Sequence, residues 1–236
     1  MPSVFADLQD RAWPYRYTGR LHVATLCGGV PADEHQVVGW INAKLKDTRS
    51  PGEIAELVLR TMAERAAAGN PITQDEAITE VAGSLVGRNG FKRDPAGHLF
   101  IEGRQLKSAI KEAVSVSVAA GKLRKGGWGV TKKGLYSFVA EHVFVAEERL
   151  YLMRDGAHVD EPDGTLQKMV HTFRGDAISY EDYAKEVDLD FTVMTDYQFS
   201  RDDWGMVWLT GQMEGIGASR SQGFGRYEIT AWDQVG

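Results

Sequence analysis

The chain has 236 residues, 43% hydrophobic and 25% charged, which fits one sizeable globular domain or a domain carrying a large insertion. A formal net charge of −6 excludes a generally basic nucleic-acid coat, and the one cysteine, Cys27, excludes an internal disulfide or a thiolate metal cluster. No apolar run approaches the ~20 residues of a membrane span, and the polar, aromatic opening MPSVFADLQDRAWPYRY is no secretory leader, so a cytoplasmic protein is expected.

In chain order, YRYTGRLHVATL (15–26) alternates polar and apolar residues and predicts a strand. After the loop CGGVPADE comes a helix with clear punctuation: Ser50 as cap, Pro51 in the first turn, Glu53 to complete a capping box, and Ile54, Leu57, Val58 and Met62 on one face. Gly69-Asn70-Pro71 ends it. Thr73, with Glu76 three residues later, opens a second helix, so that 51–86 forms a helical hairpin. Turn chemistry at Asn89-Gly90 and Asp94-Pro95 precedes a short apolar strand. The chain then passes through Gly103 into a helix with Leu106, Ile110 and Ala113 toward the core; Arg104, Lys107 and Lys111 follow at one-turn spacing. GKLRKGGWGVTKKG is a basic glycine-rich loop, LYSFVAEHVFVAEERLYLM reads as strands, and the acidic stretch 154–185 reads as irregular and long enough to protrude. Val187, Leu189, Phe191 and Val193 mark one side of a half-buried antiparallel strand. Ser200 caps a last helix that buries Trp204, Val207 and Trp208, and FGRYEITAW is the final strand. With the hairpin set aside, the order is β, α, β, β, α, β, that of an α+β, ferredoxin-like (RRM-like) domain.

Charge is distributed unevenly. Val86 to Lys133 carries eleven Lys and Arg against three Asp and Glu, a balance of +8 against −14 for the rest. A basic middle in an acidic chain is either a local anion-binding face or a solvated basic helix. Trp128 sits among glycines and lysines of the basic loop, where it can stack on a base or anchor the loop.

The stretch GIGASRSQGFGRYEI (215–229) raises the same question. Glycines permit positive φ and close backbone approach, and successive N–H groups can cradle an anion beside an Arg220 fork. The stretch lacks the Walker pattern, and it precedes a strand rather than opening a helix, so it is no dinucleotide fingerprint. It also departs from the RRM signature at Gln222, Arg226 and Glu228. A tight helix-to-strand connection would also need such glycines.

Three stretches together resemble the RAMP superfamily of CRISPR-associated proteins. The run G-x-G-x-x-R-S-x-G-F-G before a C-terminal strand is similar to that family's glycine-rich loop. FKRDPAGHLFIEGRQLKSAIKEA resembles the backbone-subunit motif of type III effectors, an R/K-D-P turn leading to I-P-G-S-S-L-K-G and a helix; Arg93, Asp94, Pro95, Ile101, Gly103, Leu106 and Lys107 match, whereas Glu102, Arg104, Gln105 and Ser108 depart. GRLHVATLCGG is similar to the family's first strand and loop.

The resemblance implies a single RAMP-like domain over 1–236, with 51–86 as a helical insertion and 154–185 as a thumb-like protrusion. It implies a backbone subunit that polymerises along single-stranded guide RNA, with copies of itself and other effector subunits as partners. It carries RNA-backbone contact to Arg104, Lys107, Gly215, Gly217, Arg220, Ser221, Gly223 and Gly225; charge and composition add Lys111 and Trp128. The target-cleaving aspartate of such subunits would fall on Arg88, so no catalysis, metal or cofactor is expected. One alternative is a protein-interaction module whose acidic face binds a partner; two others stand beside it. One is a repeat-RNA processing endonuclease using His22 or His35 as general acid/base. The other is a stand-alone or virus-borne homologue that binds single-stranded nucleic acid or mimics a subunit. Asp33 lies in the loop after the first strand but lacks the context of the cleaving aspartate.

Overall fold

The computed structural model describes residues 9–31, 51–74, 76–77, 88–123, 136–172 and 175–235. In chain order the elements are helix α1 (Gln9–Ala12), strands β1 (Tyr15–Cys27) and β2 (Val30–Pro31), helix α2 (Pro51–Ala67), strands β3 (Arg88–Gly90), β4 (Lys92–Arg93) and β5 (Leu99–Glu102), helices α3 (Gly103–Ala119) and α4 (Tyr136–His142), strands β6 (Val143–Val145), β7 (Arg149–Tyr151), β8 (Met153–Arg154), β9 (Ala157–His158), β10 (Gly164–Thr172) and β11 (Gly175–Thr195), helix α5 (Arg201–Glu214) and strand β12 (Tyr227–Gln234). They form two compact units: Met1–Gly28, Lys92–Asp163 and Tyr183–Gly236 make one, and Gly29–Phe91 with Gly164–Asp182 make the other.

In the first unit β1 runs antiparallel to both β12 and residues 183–195 of β11, and β6 pairs antiparallel with the other edge of β11. The strand order is therefore β12-β1-β11-β6, all antiparallel. Register follows the alternation in the sequence: Tyr17 faces Val193, Gly19 faces Phe191, Leu21 faces Leu189 and Val23 faces Val187. All eight are buried. Helix α3 adds Leu106, Ile110, Ala113 and Val114 to the core, and α5 adds Trp204, Val207 and Trp208. Each fully buried side chain of this size contributes about 1.5–3 kcal/mol.

The two helices meet closely. Ser117 of α3 donates its hydroxyl to Thr210 of α5 at 2.7 Å, so both buried polar groups are satisfied. Gly211 of α5 makes room for Tyr227 of β12: a Cβ there would lie 2.0 Å from the Tyr227 hydroxyl. Helix α5 starts where Ser200 accepts the N–H of Asp203 at 3.1 Å, with Asp202 and Asp203 complementing the helix N-terminus.

An aromatic cluster fixes the sheet against α5. Trp232 stacks on Tyr17 at 5.0 Å and 3° and tilts against Trp204 at 5.0 Å, while Phe191 meets Trp208 at 5.4 Å. The β1–β12 register shifts between Arg20 and Leu21, which brings Trp232 opposite Gly19. Glycine is required there, because a Cβ would lie 2.4 Å from the Phe191 ring and 3.0 Å from that of Trp232.

A second, three-stranded antiparallel sheet, β4-β5-β7, carries the turn at Asp94-Pro95. Asp94 accepts the N–H groups of Ala96 and His98, each at 2.9 Å, as the turn chemistry predicts.

In the other unit, β3 runs antiparallel to β2 and parallel to β11 at Tyr180–Glu181. Val58 and Ala77 form a small buried cluster with Leu57, Met62 and Ile72. The expected capping box is present: the Thr73 hydroxyl accepts the Glu76 N–H at 3.3 Å and the Glu76 carboxylate accepts the Thr73 N–H at 2.8 Å. The proposed Ser50 cap and most of the second hairpin helix lie outside the described residues.

The fold is mixed α+β, and two segments differ from expectation. Residues 136–142, expected as strand, are helix α4; a short apolar run does not separate the two states by pattern alone. The stretch 154–185, expected as irregular, contains β9, β10 and the start of β11. Glu181 and Asp182 in this acidic stretch are only 4% and 5% exposed, with Asp182 accepting the Thr165 hydroxyl at 2.7 Å. Among the described residues no helix is long and apolar enough to cross a membrane.

Gly19→Ala tests the aromatic cluster. Phe191 is held by Trp208 and Trp232 and cannot yield, so overpacking costs about 1–3 kcal/mol, read as a lowered midpoint in a denaturant titration followed by tryptophan fluorescence.

Candidate nucleic-acid interface

Helix α3 begins at Gly103 because nothing larger fits. A Cβ at that position would lie 2.0 Å from the Glu147 carbonyl oxygen, and the Gly103 N–H donates to the Glu148 carbonyl at 3.0 Å. Glu102, just before it, binds two cations, Lys92 at 2.9 Å and Arg104. The Lys92 hydrogen bond, seconded by that of Arg104, holds the Glu102 carboxyl below the usual range. Lys107 is half-buried. Its ammonium donates to the Ala140 carbonyl at 2.8 Å and sits 4.1 Å over the Phe144 ring. Burial, then the neighbouring charge of Lys111, lowers its pKa from the usual lysine value.

The cleft at the start of α3, about 380 Å³, is lined by Glu102, Glu147 and Glu148 as well as Arg104 and Lys107. Its charge is mixed, and Lys107 ties α3 to α4 and β6.

The glycine loop is built largely on its own backbone. Gly215 ends α5 with φ 76°. The Ile216 N–H then donates to Gly225 O at 2.8 Å, the Gly225 N–H to Thr25 O at 2.8 Å, and the Ala218 N–H to Cys27 O at 3.1 Å. A Cβ on Gly225 would lie 1.8 Å from Ile216 O, one on Gly217 2.8 Å from the Leu26 side chain, and one on Gly215 3.0 Å from the Gly225 backbone. Gly217 serves close packing on the end of β1, and Gly215 and Gly225 let the loop close on its own backbone. Gly223 differs: φ is 89° and nothing lies within 4 Å of where its Cβ would be. Between them, Arg220–Gln222 forms one 3-10 turn that holds Arg220 and an exposed Ser221.

The structure joins the two motifs. Arg220 donates to Glu112 of α3, 108 residues away in sequence. That contact brings the glycine loop against the middle of α3. Of the residues the sequence singled out, Arg220 and Ser221 fall at this junction and Lys111 is the α3 residue just before Glu112; Arg104 is exposed but bound to Glu102, Lys107 is anchored, and Trp128 lies outside the described residues. Glu112 was not foreseen, since an acid within a basic helix looks like an ordinary solvent-facing residue.

His22 sits on the opposite face of the sheet, with Nδ1 2.9 Å from Asp188 and Nε2 3.0 Å from Glu186. Both ring nitrogens are engaged, and neighbouring Arg20 forms a bidentate pair with Asp190 at 2.6 and 3.0 Å. His35 and Asp33 lie outside the described residues. Among those described, no group of three or more His, Cys, Asp and Glu is arranged to hold a metal ion.

No family model matches this chain, and no curated protein matches it. Among solved structures it is similar, at a TM-score of 0.47 and 10% identity over 97% of its length, to a chain of the type III-B Cmr-beta complex bound to cognate target RNA. It spans 63% of that chain.

Two predictions follow from this geometry. Gly225→Ala collides with Ile216 O and breaks the loop, whereas Gly223→Ala meets only the left-handed backbone strain of about 1–2 kcal/mol; thermal melts of the two variants should separate clearly, Gly225→Ala being the lower. The bond to Asp188, with help from Glu186, raises the His22 pKa above the usual value. Its stabilisation is complete below the unfolded value of about 6.5 and fades as pH rises through the higher folded value. His22→Gln should therefore flatten the decline in melting temperature over that window.

Proposed function

We propose that this chain is a non-catalytic RNA-binding subunit of the RAMP type, which holds single-stranded guide RNA through its phosphates as a backbone protein. The observation that carries the reading is the Arg220–Glu112 contact, which puts the glycine loop and α3 on one surface although they are far apart in sequence. The strand order β12-β1-β11-β6, with α3 and α5 as the two crossover helices, supports a ferredoxin-like core beneath that surface. In this reading the 51–86 segment is an insertion, 154–185 is a thumb-like protrusion, and the partners are other copies of the chain and further effector subunits.

Lys111, Arg220 and Ser221 are the phosphate contacts, with Arg104 at the helix start. Gly215, Gly217 and Gly225 shape the loop, and Lys107 fixes the helix that carries Lys111. Glu112 occupies Arg220 in the free protein. A half-exposed ion pair of this kind is worth only about 0–1 kcal/mol, so an RNA phosphate can displace it and accept the guanidinium fork. Phosphate contacts position a strand without reading its bases, so this surface is tolerant of sequence. Arg88 stands where the cleaving aspartate of type III backbone subunits would be, and the proposal includes no target cleavage.

The test is the salt dependence of binding to a single-stranded RNA of mixed sequence. Lys111→Ala and Arg220→Ala each weaken binding and reduce the slope of log K against log salt by roughly 0.7. Glu112→Gln releases Arg220 and strengthens binding. Unchanged affinity and slope in all three variants would overturn the proposed surface.

A further inference from the structure

A cleft of about 500 Å³ lies on the polar face of the sheet, opposite the helices, and none of its lining residues belongs to the phosphate-contacting surface. Thr18 and Thr192, paired across β1 and β11, contribute two hydroxyl-bearing side chains to it. Glu147, Arg149, Tyr151 and His158 come from the segment that runs alongside.

Each of these four is held in a way that leaves a binding function over. Glu147 accepts the Thr192 N–H on Oε2 at 2.8 Å, which fixes the carboxylate, and Oε1 meets no donor among the described residues. Arg149 rests 5.1 Å over the Phe100 ring and has no carboxylate partner among the described residues. Tyr151 is wedged edge-on to His158 at 5.0 Å and tilted to Phe100 at 5.9 Å. His158 stacks on His98 at 4.2 Å and remains exposed. The second carboxylate of the cleft, Asp190, is already taken up by Arg20.

A rigid aromatic wall, a clamped carboxylate with an open oxygen, and an arginine without an ion pair suit a planar heterocycle that presents N–H donors and carries a phosphate. Volume agrees, since small-molecule sites are typically about 300–1,000 Å³. Among the nucleobases the donor edge decides. Guanine offers N1–H and N2–H side by side to a carboxylate. Adenine and cytosine set a ring acceptor beside their amino group, and uracil flanks its one N–H with two carbonyls; those acceptors repel the carboxylate. We propose that this cleft is a guanine-nucleotide pocket, in which Tyr151 and His158 stack the base, Glu147 accepts from its N1–H and N2–H edge, and Arg149 meets the phosphate. It would add base discrimination at one position to a protein whose other surface is indifferent to sequence.

The experiment is calorimetric titration of the full chain with GMP, AMP, CMP and UMP separately. GMP is expected to bind about tenfold tighter than the others, the lower range of discrimination by a good bidentate pair. Glu147→Gln keeps an acceptor for the Thr192 N–H and loses the anionic edge, so the GMP preference disappears. Arg149→Ala, at an exposed position, weakens all four nucleotides and keeps their order. Equal binding of the four nucleotides, binding of none of them at millimolar concentration, or an unaltered GMP preference in Glu147→Gln would overturn the pocket. Mononucleotide binding is read independently of the RNA salt slope, so loss of the pocket leaves the phosphate surface standing, and the reverse.

Discussion

The last carbonyls of the central strand organise this molecule. Thr25 and Cys27 end β1, and their oxygens accept the N–H groups of Gly225 and Ala218 at 2.8 and 3.1 Å. Two segments at opposite ends of the sequence are thereby tied together where β1 leaves the sheet. The tie works only if the returning chain comes very close, so a Cβ on Gly217 would meet Leu26 and the Cys27 carbonyl, and one on Gly225 the Ile216 backbone that the loop folds against. Once the loop is pinned there, Arg220 is delivered to α3 and meets Glu112. The proposed RNA surface is a consequence of that backbone tie, and several N–H groups that could have cradled an anion are already committed to it. The proposed phosphate contacts therefore rest on side chains more than on a backbone nest.

Charge acts locally in this protein. The basic stretch from Val86 to Lys133 carries acids at telling positions: Glu102 between Lys92 and Arg104, and Glu112 against Arg220. Each holds cations in defined places within an acidic chain. An ion pair exposed to water is weak enough to exchange for a phosphate, so in the proposed reading these acids are placeholders that keep the cations ordered until a strand binds. Lys107 is different, because its bond to Ala140 O and its seat over Phe144 make it part of the joint between α3 and its neighbours.

Much of this was legible in the sequence. The alternation at Val187, Leu189, Phe191 and Val193, the Ser200 cap, the Thr73–Glu76 box and the turn at Asp94 each encode a local geometry with a physical cause, and each appears as expected. What escaped depends on partners distant in sequence. Helix α4 is too short for its period to declare itself. Glu181 and Asp182 look like surface acids because nothing nearby in sequence shows that they are covered. The cleft formed by Glu147, Arg149, Tyr151 and His158 draws on β7, β9 and the link before β7, whose side chains converge only after these segments fold back. The glycine loop was legible as a place of close approach, while the identity of what approaches it, the end of β1, was not.

Photo-cross-linking of a uniformly thiouridine-substituted single-stranded RNA to the full chain, with the attachment sites mapped by peptide mass spectrometry, tests the central claim most directly. Cross-links concentrated on peptides from Arg104 to Glu112 and from Ser219 to Arg226 are the result the account predicts. Cross-links confined to other parts of the chain, or an RNA that fails to attach at all, would contradict it.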